Sequence, residues 1–303
     1  MSIYPVAVIG AGPAGLATAL QLKRYGIETL LLEGGQPGGL LLNANCVENY
    51  PGFPGGIRGP ELVELFVEGA IQSGVRLTQE LVLSLDYAGD SSPSSCREGN
   101  FNIRTVENLY QAGRVVIASG TRPIPLSGVI LSDGLEERLF YEVYPLLGAA
   151  GWHIAILGAG DAAFDYALNL SACNRVTILN RGDRVNCLPL LWQRAAAVES
   201  IQYRPNTRLV RLNPAASQRL GLVCTGPGGE DLVEVDALLV ATGREARLDF
   251  VSPTLLQQLP DQERDGILYR VGDVKNGLYR QTAIAVGDGI LAAMQIYQSL
   301  DGL

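Results

Sequence analysis

Apolar and polar positions alternate along this chain in blocks. Val6-Ala7-Val8-Ile9 is an apolar run of strand length, followed at once by Gly10-Ala11-Gly12-Pro13-Ala14-Gly15. Leu16, Ala19 and Leu20 then recur at helical spacing, which predicts a helix from about Ala14 to Tyr25, ended by Gly26. A second strand, Glu28 to Leu32, ends at Glu33. The same order returns as Ile154-Ala155-Ile156-Leu157, the turn Gly158-Ala159-Gly160-Asp161-Ala162-Ala163, and a strand over Arg175–Leu179. Short apolar runs bounded by glycine read as buried parallel strands, and strand–turn–helix order predicts βαβ units. Residues 34–59, rich in Gly, Asn and Pro, predict a long ordered loop, and Glu61 to Gly74 a helix. Residues 75–118 read as antiparallel strands with a polar tip from Gly89 to Gly99 and a last strand, Arg114–Ala118, ending in Ser119-Gly120. Ala237–Val240 is a closing strand before Ala241-Thr242-Gly243. Gly266–Val271 is a strand ending in Gly272-Asp273, and a final helix runs from after Arg280-Gln281 to about Ser299.

These blocks predict an α/β fold: two Rossmann-like three-layer (ββα-type) nucleotide-binding domains, the second inserted in the first. Residues 1–120 and 244–303 are expected to form the split first domain and residues 121–243 the inserted one. Paired crossings between them are a natural hinge.

A glycine turn between strand and helix lets backbone approach a pyrophosphate, and the helix N-terminus supplies free N–H groups. At the first turn Gly10, Gly12, Pro13, Ala14 and Gly15 are the candidate contacts. Glu33 lies 18 residues beyond Gly15, where a carboxylate accepts ribose hydroxyls. At the second turn the candidates are Gly158, Gly160, Asp161 and Ala162. The strand after it ends in Asn180-Arg181, with Arg184 close by and no acid. Arginines there pair with a 2′-phosphate, which favours NADP over NAD; a solvated arginine pair is the plainer reading. Two such sites in one chain point to electron transfer between two cofactors. Asp273 can accept from a ribityl hydroxyl, and the helix N-terminal amides near Gln281 and Thr282 can face a flavin pyrimidine oxygen, although ordinary helix capping accounts for the same residues.

Composition narrows the picture. The 303 residues are 47% hydrophobic with a net charge of -8, and lysine occurs only at Lys23 and Lys275. With no basic run, nucleic acid and anionic membrane are poor partners. No membrane-span-length stretch or signal peptide is evident, so a cytoplasmic location is expected. The five cysteines, at 46, 96, 173, 187 and 224, form no CxxC and fit a reducing compartment. A single histidine excludes a histidine-rich metal site, and no metal is expected.

Taken together, the chain resembles the low-molecular-weight thioredoxin reductase group of flavoproteins over nearly its whole length. The resemblance is carried by the first glycine turn, Gly34-Gly35-Gln36, Val47-Glu48-Asn49-Tyr50-Pro51-Gly52-Phe53-Pro54, Gly158-Ala159-Gly160-Asp161, Ala241-Thr242-Gly243, Gly272-Asp273-Val274 and Tyr279-Arg280-Gln281-Thr282-Ala283. It implies FAD in the first domain, a pyridine nucleotide in the inserted one, a homodimer, and domain rotation during turnover. It also implies that Asp273 and Gln281 touch the flavin, that Asn49 lies in the flavin-side loop, and that Glu33 binds the ribose. Gln36 and Gly120 complete the expected cofactor contacts.

Two departures stand out. Where that group carries its redox Cys-x-x-Cys, this chain has Tyr141-Glu142-Val143-Tyr144, in which Tyr144 can offer only a ring to stack on a flavin or nicotinamide. A His-Arg-Arg run is reduced to Asn180-Arg181. The first explanation is a disulfide oxidoreductase with relocated thiols, Cys46 and Cys187, serving a thioredoxin-like protein or a small disulfide. Cys46 lies in the loop expected to border the flavin. As packing residues, Cys46 would instead be a buried small hydrophobe and Cys187 a helix-start filler. A second explanation is a diflavin enzyme with a second FAD in place of NADP(H). A third is an NAD(P)H- or ferredoxin-linked flavin reductase without a protein disulfide. A non-catalytic flavin-binding redox sensor is the fourth.

Overall fold

A computed structural model describes residues 2–88 and 100–301; the expected Gly89–Gly99 tip, with Cys96, lies outside the described residues. The chain begins with β1 (Ser2–Ile9), α1 (Pro13–Arg24) and β2 (Thr29–Glu33), followed by α2 (Gly59–Gln72), β3 (Leu77–Gln79), β4 (Val82–Tyr87), β5 (Phe101–Thr105) and β6 (Leu109–Ile117). After β7 (Thr121–Pro123) come β8 (Ile130–Leu131), β9 (Leu139–Phe140), β10 (His153–Leu157), α3 (Asp161–Leu170), β11 (Arg175–Leu179) and α4 (Pro189–Ala196). Next are β12 (Ile201–Arg204), β13 (Arg208–Pro214), β14 (Leu220–Gly226), β15 (Gly229–Val235) and β16 (Ala237–Val240). The chain closes with β17 (Arg244–Ala246), α5 (Pro253–Arg264), β18 (Leu268–Arg270) and α6 (Thr282–Asp301).

It divides into two compact units. Met1–Leu42, Val47–Arg122 and Glu245–Leu303 form the first; Asn43–Cys46 and Pro123–Arg244 form the second. The expected loop over 34–59 is therefore shared, because Asn43–Cys46 associates with the second unit. The crossing segments β7 and β17 pair as a two-stranded ribbon.

In the first unit the strand order is β3-β2-β1-β6-β5-β4, with β18 also on β6. Parallel registers bring Ile9 level with Leu32 and with Ile117, so the turns that follow leave one carboxyl edge. β3 pairs with β2 in parallel, not antiparallel as its neighbours suggested, since α2 carries the chain back to the starting edge. Both faces of the sheet are covered. Val6, Val8, Leu31 and Val116 pack on α1 (Leu16, Ala19, Leu22) and α6 (Ala292, Ala293, Ile296). On the opposite face Ala7, Ile9, Leu32 and Ile117 pack with Leu85 and Phe101 and with Leu255 and Leu259 of α5.

The second unit repeats the plan with the order β12-β11-β10-β16-β9. Leu157 is level with Leu179 and with Val240. Ile154, Ile156 and Ile178 pack on Ala163, Phe164 and Ala167 of α3. Ala155, Leu179 and Leu238 face Leu212, Leu222 and Cys224 of a second sheet, β15-β14-β13-β8. Helices, parallel sheet and second sheet make the three layers. Among the described residues no helix is long and apolar enough to cross a membrane.

Candidate active site

The first glycine turn grows directly from β1. The Gly10 N–H donates to Leu32 O (2.8 Å) and the Ala118 N–H to Ile9 O (2.8 Å). Gly10 has φ of +105°, and a Cβ there would stand 2.4 Å from Ala118 O, so only glycine fits. Gly12 caps α1 in an extended conformation, with Pro13 at the first helical position, where no N–H is needed. A Cβ on Gly12 would meet nothing closer than Gly39 Cα at 4.0 Å. The result is a backbone-lined cradle free of side chains at a helix N-terminus, which fits a pyrophosphate.

Glu33 closes one side of this cradle. Its two carboxylate oxygens accept the N–H of Ala11 (2.7 Å) and of Gly35 (2.9 Å), and each keeps lone-pair capacity for a ribose hydroxyl. The Gly38 N–H donates to Ala11 O (2.8 Å), laying the following loop along the turn. Gln36 on that loop lines a cleft of ≈ 400 Å³ with Pro37, Val63, Val67 and Ile71. Farther along the same loop, Asn49 Nδ2 donates to Gln281 Oε1 (2.8 Å), joining the predicted flavin-side residue to the start of α6. Thr282 is the first residue of α6. Asp273 is half-buried in the short turn after β18, whose register on β6 (Arg270 beside Ile117) brings it to the carboxyl edge. Gly120 follows β6 and accepts the Arg247 N–H (3.1 Å). Fold topology thus gathers Gly10–Gly15, Glu33, Gly120 and Asp273 at one edge of one sheet, where ligands of such sheets bind.

The second turn has the same skeleton. The Gly158 N–H donates to Leu179 O (3.0 Å), the Ala241 N–H to Leu157 O (2.8 Å), and the Asn186 N–H to Ala159 O (2.9 Å). Gly160 caps α3, and a Cβ on it would meet no atom within 4 Å. Asp161 and Ala162 are exposed in the first helical turn. Asn180 stands where Glu33 stands in the first unit, but it is buried. Its Nδ2 donates to Arg184 O (3.0 Å) and Tyr203 Oη (2.8 Å), and its Oδ1 accepts the Gly182 N–H (3.2 Å). Its side chain builds its own loop. Arg181 and Arg184 are exposed at the end of β11.

The Tyr141–Tyr144 segment has a structural task. Tyr141 Oη accepts the Leu126 N–H (3.0 Å), and Val143 is fully buried. Glu142 accepts from Asn43 Nδ2 (2.7 Å) and Arg244 Nη1 (2.7 Å). Tyr144 is partly exposed, and its N–H donates to Asn43 Oδ1 (3.0 Å). These contacts hold the segment carrying Cys46.

Both candidate cysteines belong to the second unit, Cys46 exposed and Cys187 half-buried. Cys46 groups with the second unit because Asn43 and Asn45, on either side of Ala44, are hydrogen-bonded to Glu142 and Asp165 there. Cys46 is therefore not a buried packing residue. Helix α3 organises both loops. Asp165 accepts the N–H of Asn45, next to Cys46 (2.9 Å), and Asp161 accepts the N–H of Leu188, next to Cys187 (2.7 Å). Positions i and i+4 share a helix face, so the cysteine loops are fastened to adjacent turns. Burial first, and then the Asp161 carboxylate, push the Cys187 thiol up. Burial also raises Cys224 within β14; Cys173 is exposed. Sequence reading missed the roles of Asp165 and Glu142; for Asp165 the only local signal was the Asp-x-x-x-Asp spacing on α3.

A family model described as pyridine nucleotide-disulphide oxidoreductase matches residues 4–289. The chain belongs to that family. This oxidoreductase is 32% identical over 314 residues to a bifunctional thioredoxin reductase/thioredoxin of Mycobacterium leprae, covering 97% of this chain and 65% of that longer protein. It is 29% identical to a thioredoxin reductase of Mycolicibacterium smegmatis, covering 97% of this chain and 95% of the relative. The crystal structure of Lactococcus lactis thioredoxin reductase superposes with a TM-score of 0.84 at 26% identity, covering 99% of this chain and all (100%) of that one. Membership, together with the open glycine cradle, makes this chain a FAD-dependent oxidoreductase closely related to the low-molecular-weight thioredoxin reductases.

Proposed function

We propose that this oxidoreductase passes two electrons between FAD held by the first unit and a Cys46–Cys187 pair that exchanges with a thioredoxin-like protein or a small disulfide. The observation that carries this reading is the fastening of both cysteine loops to adjacent turns of α3. The exposed thiol is the exchanging one. Cys46 Sγ attacks a partner disulfide, forming a mixed disulfide and releasing one partner thiol. Cys187 Sγ, the shielded thiol, then attacks Cys46 Sγ, releasing the second partner thiol and leaving a Cys46–Cys187 disulfide. The flavin, once reduced by an external donor, would supply the two electrons that, with two protons, return this disulfide to thiols. In the first unit Gly10, Gly12, Pro13, Ala14 and Gly15 would hold its pyrophosphate and Glu33 its ribose, with Gln36, Asn49, Gly120, Asp273, Gln281 and Thr282 around the rest.

The second turn, with Gly158, Gly160, Asp161 and Ala162, would take NADP(H) as electron source, with Arg181 and Arg184 toward a 2′-phosphate and the Tyr144 ring available for stacking. A second FAD is the alternative reading, favoured by Asn180, which closes its own loop instead of offering charge. A homodimer is supported by the exposed apolar stripe of Ile284, Leu291 and Met294 on α6, next to Leu278 and Tyr279. A cytoplasmic setting is the reading favoured by five dispersed cysteines that form no CxxC.

Thiol mapping tests the pair. In air-oxidised protein Cys46 and Cys187 should resist alkylation until reductant is added; full alkylation of both without reductant would falsify the pairing. Flavin reduction by reduced ferredoxin but not by NADPH would move the electron source. Bound FAD with no turnover by any donor would mark a redox sensor.

A further inference from the structure

We propose that Asp288 is a positioning residue of the flavin site, acting through the Gly272–Asp273 turn. The inference rests on FAD occupying the first unit and adds the device that sets one of its contacts. The Gly272 N–H donates to Asp288 Oδ2 (3.0 Å), and Asn276 Nδ2 donates to the same oxygen (2.6 Å). The Gly272 carbonyl in turn accepts the N–H groups of Lys275 (3.0 Å) and Asn276 (3.2 Å). Residues 272–276 are thereby closed into a ring, with one carboxylate oxygen of α6 as its clasp. Asp273 is carried inside that ring.

The clasp is fixed from both sides. Gly272 is buried at φ of +72°, and a Cβ there would come within 2.9 Å of Ala14 Cβ in the first turn of α1. Beside Asp288, a Cβ on Gly289 would stand 2.3 Å from Ala14 O. Helix α6 is thus seated on α1 at the very residue that follows Pro13 in the cradle, which sets the height at which Asp288 meets the turn. A side chain one carbon longer or without an acceptor would leave the buried Gly272 N–H unpaired, and an unpaired buried donor is costly enough to move a short turn. An oxygen that takes two donors at once is best supplied by a carboxylate, although a carboxamide oxygen in the same place can do the same.

The test compares D288A, D288N and N276A as apoproteins. FAD affinity is read by quenching of flavin fluorescence, the environment by the visible absorption band of bound flavin, and fold integrity by apoprotein melting. D288A should weaken FAD binding by about tenfold or more and shift the visible band, N276A by about threefold, and D288N should stay within about threefold of wild type. FAD binding by D288A equal to wild type overturns the proposal. So does D288N losing as much as D288A, because charge rather than placement would then be acting. If D288A does not fold, N276A decides: unchanged affinity and spectrum overturn the proposal. A wild-type chain that takes up no FAD would remove both this inference and the proposed function, whereas wild-type uptake with an indifferent D288A removes this inference alone.

Discussion

Gly10 and Gly12 lie two positions apart and answer to different demands. At Gly10 a Cβ collides with Ala118 O, while at Gly12 it points into the cradle. G10A should therefore cost about 2–4 kcal/mol of stability by chemical denaturation. G12A, at an extended φ of -75°, should leave the apoprotein within about 0.5 kcal/mol of wild type yet weaken FAD binding by about tenfold in a fluorescence titration. Equal FAD binding by G12A would place the pyrophosphate elsewhere. Cys187 carries a second residue-scale prediction. Burial and Asp161 both disfavour its thiolate, so its alkylation rate should rise only at pH above the ordinary cysteine range, and D161N should move that rise to lower pH. An unmoved profile in D161N would show that the carboxylate does not reach the thiol. The glycines and Glu33 were legible because turn, helix start and strand end are local patterns. Asp165 and Asp288 were not, because their value lies in partners that only the fold supplies; Asn45 and Asp165 are 120 residues apart in sequence.

Among elements, α3 and α6 carry the functional argument. Helix α3 caps the second glycine turn at one end and fastens both cysteine loops along one face. Helix α6 joins Gln281, the Asp288 clasp and an exposed apolar stripe. M294E, which puts a charge in that stripe, should shift the protein from dimer to monomer in sedimentation velocity at micromolar concentration; a wild-type monomer would remove the dimer reading. Strands β11 and β16 are legible to the residue, since buried parallel strands are short, mostly apolar runs bounded by turns. Helix α5 escaped notice because Pro260 interrupts its pattern and most of its length is polar. Helix α4 spans 8 residues, too few for a clear period.

At the scale of the molecule, one plan is used twice and then altered. The bonds that close the first turn, Gly10 to Leu32, Ala118 to Ile9 and Gly38 to Ala11, recur as Gly158 to Leu179, Ala241 to Leu157 and Asn186 to Ala159. The altered position is Glu33, whose counterpart Asn180 turns inward to its own loop. The doubled plan was visible in the glycine spacing; the sharing of the loop after β2 between units was not, since it depends on Asn43 and Asn45 finding Glu142 and Asp165. The central claim is that the Cys46–Cys187 pair exchanges electrons with a flavin. Anaerobic dithionite titration of oxidised, flavin-loaded protein measures that capacity directly. Wild type with one flavin per chain should take up about four electrons, and C46S and C187S about two each. Saturation of the wild type at about two electrons, the same as both variants, would contradict the account.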